Sequence, residues 1–113
     1  MKDDYKTKDI LTQLSHDIVE LEKAILCNND IIYIYEKEME DIKFKYKSEI
    51  DLDKQFSNEL KRKIELEQRL SKDNNYLYKL DKSKKLSQDI KLAEIQYKHL
   101  KRIINIEIAF KDE

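Results

Sequence analysis

Residues 9–46 read DILTQLSHDIVELEKAILCNNDIIYIYEKEMEDIKFKY. Within them Leu11, Leu14, Ile18, Leu21, Ile25, Asn28, Ile32, Tyr35, Met39, Ile42 and Tyr46 follow one another at alternating spacings of 3 and 4. That spacing is the sequence form of a helix burying one seam against another helix. With Leu11 at heptad position a, Ile18, Ile25 and Ile32 continue the a row, while Leu14 and Leu21 lead the d row. Ile at a with Leu at d favours two-stranded parallel packing, most strongly over residues 11–25. Asn28 interrupts the d row. On a continuous helix it costs stability and helps fix register.

Outward from this stretch the chain stays helical in character. It has 113 residues, 42 % of them charged and 40 % hydrophobic, with no Gly and no Pro. Periodic, plentiful apolar residues exclude disorder, and the length fits one helical domain over residues 1–113. Turns must rely on Asn and Asp. Abundant Ile, Lys, Asn and Tyr indicate an AT-rich genome, which accounts for part of the missing Gly and Pro. Net charge is −1, so no whole-molecule field selects nucleic acid. The single Cys27 cannot form an internal disulfide, and there is no secretory h-region and no 18-residue apolar run. A cytoplasmic protein without a transmembrane segment is the expectation.

Residues 1–8 (MKDDYKTK) are polar and expected to fray, so the first helix is placed at about 9–70. Asn28, Asn29 and Asp30 leave open a break at 28–30, which would create a third helix. Unchanged heptad phase on both sides speaks for continuity. Residues 31–35 (IIYIY) are apolar on every side and predict a helix buried all round. A strand there, paired with 42–46, is the rival, but the connecting EKEMED run is helix-favouring. Beyond Tyr46 the phase drifts through Ile50, Leu52, Phe56, Leu60, Ile64, Leu66 and Leu70, as in an ordinary bundle. The run SKDNN at 71–75 is the strongest turn signal. A second helix is placed at about 76–110, with Leu86, Ile90, Ala93, Tyr97, Leu100 and Ile104 as its stripe. Ile103, Ile106 and Phe110 form a second apolar surface that needs a cover.

The expected fold is therefore all-α, a long helical hairpin or coiled coil turning near 71–75. A first helix over 9–70 would be roughly 90 Å long and the second about 50 Å. Such a hairpin leaves 11–25 uncovered. Each exposed Leu or Ile forgoes about 1.5–3 kcal/mol, so that end is expected to pair with a second copy or a helical partner. The predicted interface is Leu11, Leu14, Ile18, Leu21, Ile25, Asn28, Ile32 and Tyr35.

Chemistry-bearing motifs are weak. His16 and Glu20 lie at i, i+4, a metal-ligand spacing, but no third ligand recurs nearby. His99 lacks the Glu-x-x-His context of di-iron bundles, since residue 96 is Gln. Cys27 has no His or cationic neighbour in sequence to activate it and reads as a small, partly buried residue. Without Gly there is neither a phosphate loop nor a nucleophile elbow. No enzyme, metal or cofactor is expected.

Lys43-Phe44-Lys45-Tyr46-Lys47 interleaves cations with aromatics as single-strand binders do. Acids flank it, and a solvated helix face is the simpler reading. The expected function is protein–protein interaction: an adaptor, assembly factor or inhibitor. Size and codon bias fit an accessory protein of a phage or mobile element acting on a host protein. A helical export or assembly chaperone and a nucleic-acid-binding module are the alternatives.

Overall fold

The computed structural model describes residues 2–112, with side-chain surroundings described for 8–110. It is all-α, with a long helical hairpin as its plan. Helix α1 runs Lys2–Leu52, α2 Glu59–Lys72 and α3 Asn74–Asp112. Residues 31–35 and 42–46 lie inside α1, so the strand alternative falls. So does the break at 28–30: a helix that keeps its phase keeps its hydrogen-bond ladder, and Asn28 sits half-buried on the seam. The helix also reaches back through the 1–8 segment to Lys2; Met1 lies outside the described residues.

The reversal is at residues 53–58, not at 71–75. Asp53 closes α1, its N–H donating to the Ile50 carbonyl at 3.1 Å while its Oδ1 accepts from the Gln55 N–H at 2.9 Å. Asn58 then caps α2, its Oδ1 accepting from the Lys61 N–H at 2.8 Å. Side-chain oxygens of Asp and Asn thus satisfy backbone donors that a reversal strips of helical partners. No described residue has positive φ, so the turn needs no Gly. The phase drift after Tyr46 is the sequence trace of this reversal.

The 71–75 run makes a different feature, a one-residue interruption at Asp73. The Asp73 N–H donates to the Leu70 carbonyl at 3.2 Å, ending α2. Its Oδ1 accepts from the Tyr76 N–H at 2.8 Å, starting α3. Its Oδ2 accepts from the Tyr46 hydroxyl on α1. The third helix anticipated from a break in α1 comes instead from this break in the returning arm.

The chain divides into two compact units. The reversal unit is Asp30–Leu86. In it the second half of α1 packs on α2 and the start of α3, around the buried Met39, Ile50 and Leu70. The arm unit joins Met1–Asn29 to Ser87–Glu113, with Ile90 buried between the arms. Residues 11–25 therefore have a companion in their own chain, and the premise that a hairpin leaves them uncovered does not hold. Turning at 53–58 lengthens the returning arm by the 14 residues of α2. No helix among the described residues is long and apolar enough to cross a membrane.

Candidate functional site

Leu11, Leu14, Ile18, Leu21, Ile25, Asn28, Ile32 and Tyr35 are all half-buried. In the arm unit, Leu21 with Asp17 and Glu20 faces Leu100, Gln96 and His99 across a shallow groove. The opening stripe is thus the inner seam of a hairpin, and each of its residues keeps part of its surface open. Ile31, Ile32 and Tyr35 are half-buried but Tyr33 and Ile34 are exposed. The expectation of burial all round fails because one packed neighbour covers one side of a helix.

The second apolar surface is divided in the same way. Ile103 turns inward and is half-buried, whereas Ile106 and Phe110 are exposed. They belong to an outward face that the sequence reading missed. On α3, Leu92, Ile95, His99, Arg102 and Ile106 are all exposed at spacings of 3, 4, 3 and 4, with Phe110 one further turn along. On α1, Thr12, Ser15, Val19, Glu22 and Leu26 are exposed at the same spacings. Leu26 has 65 % of its surface open, Leu92 and Ile95 64 % each, and Phe110 71 %. A second 3–4 row was the available signal, hidden on α1 by the polar Ser15 and Glu22 and on α3 by His99 and Arg102.

The two arm segments differ in charge as a whole. Along residues 8–29 of α1, Asp9, Asp17, Glu20 and Glu22 outnumber Lys8 and Lys23. Along 87–106 of α3, Lys91, Lys98, Lys101 and Arg102 outnumber Asp89 and Glu94. Lys101 holds its proton more firmly than a free lysine, first through a hydrogen bond with Tyr97 and, more weakly, through the field of Glu22. Among the described residues, neither Glu22 nor Arg102 has an ion-pair partner within 4.0 Å.

The lysine clusters are partly tied to local partners. Lys43 sits 3.7 Å from Glu40 and 5.9 Å from the Tyr76 ring centroid. Arg62 reaches Asp51 at 3.8 Å and donates to the Phe56 carbonyl at 3.3 Å. Lys85 pairs with Asp81 at 3.1 Å, and Lys82 lies 5.6 Å from the Tyr78 ring centroid. Cys27 is exposed rather than partly buried, because position c points away from the seam. His16, Glu20 and His99 are exposed as well. Among the described residues no group of three His, Cys, Asp or Glu side chains is arranged to hold a metal ion.

The arrangement offers apolar helix faces edged with charge, which is what a protein surface can be laid against. Comparison with protein-family models, curated proteins and solved structures finds no match to this chain.

Proposed function

We propose that the chain is a non-catalytic interaction protein, an adaptor, assembly factor or inhibitor, that holds a protein partner on the outward rows of α1 and α3. One observation carries this reading: Leu26, Leu92, Ile95 and Phe110 stand between 64 and 71 % exposed, while among the described residues only Met39, Ile50, Leu70 and Ile90 form the buried apolar core. Apolar side chains grouped on the outside of a helix are the mark of a surface made to be covered. The size and an amino-acid composition rich in Ile, Lys, Asn and Tyr fit an accessory protein of a phage or mobile element, with a host protein as its target.

Crosslinked capture from the source cells, with the parent chain and a Leu26→Gln/Ile95→Gln variant, tests the reading. A stoichiometric protein held by the parent and lost from the variant supports it. Capture of nucleic acid alone, lost between about 50 and 200 mM salt, would move the function to the lysine faces.

A further inference from the structure

We propose that the partner held on α3 is an acidic amphipathic helix, one that sets a carboxylate against Arg102 between two apolar contacts. The proposal rests on the interaction reading above and names the chemistry of its partner on that arm. Leu92, Ile95, His99, Arg102 and Ile106 are all exposed, and the row they form extends about 21 Å at 1.5 Å per residue. Phe110, also exposed, lies one turn further along. The apolar side chains of the row therefore fall into two groups, Leu92 with Ile95 and Ile106 with Phe110. His99 and Arg102 stand between them.

A cover that reaches both apolar groups also closes over Arg102. A covered guanidinium needs an anion, because a charge taken from water without a partner is costly. Among the described residues the chain supplies none. Arg102 takes part in no ion pair, and its neighbours one turn away on α3 are Lys98, His99, Asn105 and Ile106. The carboxylates nearest in sequence on this helix, Asp89, Glu94 and Glu107, all lie off the row. Lys91 and Lys98 edge the row on one side, Asp89 and Gln96 on the other, so bases predominate at the edges as well. Nucleic acid would bring phosphates to Arg102 but leave Leu92, Ile95, Ile106 and Phe110 uncovered. An acyl layer would cover those side chains but bring no anion to the middle of the row. A helix with apolar residues towards both ends of one stripe and Glu or Asp at its centre meets both demands, at the 3–4 spacing the row already has.

Titration of the full chain with synthetic helical peptides tests this. The probe carries Leu towards both ends of one stripe and Glu at its centre; a control carries Lys in place of Glu. The parent is expected to bind the Glu peptide and not the Lys peptide. Arg102→Glu is expected to weaken binding of the Glu peptide by about tenfold or more and to gain the Lys peptide, while circular dichroism stays helical. Ile95→Gln is expected to weaken the Glu peptide by a similar factor. A parent that binds both peptides alike or neither, an Arg102→Glu variant that keeps the parent's preference, or tighter binding to phosphatidylglycerol vesicles or oligothymidine than to the Glu peptide would overturn the proposal. A protein captured from the source cells that is lost with Ile95→Gln but kept with Arg102→Glu would leave the interaction reading standing and remove only the acidic partner.

Discussion

Around the reversal, α1 and the returning arm are joined by specific polar contacts. Lys79 meets Glu38 at 2.9 Å, Arg69 meets Glu49 at 3.4 Å, Arg62 meets Asp51 at 3.8 Å, and Tyr46 donates to Asp73. Of the four buried apolar side chains among the described residues, Met39, Ile50 and Leu70 lie in that unit. The arm unit is held differently. Among its described residues no ion pair or hydrogen bond joins the arms, and Ile90 alone is buried. Register in the reversal unit is set by geometry and charge, which admit few alternatives. In the arm unit it is set by a half-buried apolar seam, which is non-directional. The less firmly held unit is also the one whose outward rows are proposed to bind.

Replacing Ile50, with 1 % of its surface open, tests the contrast most severely. Ile50→Ala should cost about 3 kcal/mol, read from denaturant unfolding followed by helicity, because it removes the most deeply buried apolar side chain among the described residues. Ile90→Ala in the arm unit should cost less, about 2 kcal/mol. Equal losses would erase the distinction. Backbone amides of residues 14–21 should exchange at least tenfold faster than those of 42–49, about 1.4 kcal/mol in opening free energy. Equal protection would mean the arms are as secure as the reversal.

Asp73→Ala should cost about 1 kcal/mol by uncapping α3. Its pH dependence has a definite sign. Hydrogen bonding from Tyr46, and next from the Tyr76 backbone N–H, holds the Asp73 carboxyl below its ordinary value of 3.8. The stabilisation is therefore complete above that ordinary value and is lost as pH falls through the lowered one. Tyr46 is shifted the other way: the hydrogen bond to Asp73 raises its pKa above 10.0. Its contribution is complete below 10.0 and is lost as pH rises through the raised value. Tyr46→Phe should flatten the alkaline limb and weaken the acid one, as thermal melts across pH would show. Smallest of all, Arg69→Gln should cost about 0.5 kcal/mol, since its ion pairs are partly open to water.

The helical character of the chain and its inner seam were legible because periodicity reports them directly. Every residue of the opening stripe from Leu11 to Tyr46 is half-buried or buried. The reversal falls elsewhere than 71–75 because polarity is a poor measure of where a chain turns back. The five polar residues at 71–75 are more conspicuous than Asp53 and Asn58, which turn the chain with one side-chain oxygen each. Asp73 ends one helix and caps the next in a single position, so its polar run does not reverse the chain. The outward rows were missed because polar residues punctuate them, and because sequence alone does not say which of two stripes a single neighbour will cover.

The break at Asp73 has a consequence for how this chain can change over time. An α-helix advances about 100° per residue, and a one-residue interruption is the place where a residue can be gained or lost without opening a helical ladder. An insertion within α2 or α3 would turn every later side chain by that angle, whereas one at the non-helical Asp73 can be absorbed where it occurs and leave the seam of α3 facing α1. Length variation at this single position would thus spare the inner and outward rows of α3, which the same change a few residues later would set out of phase.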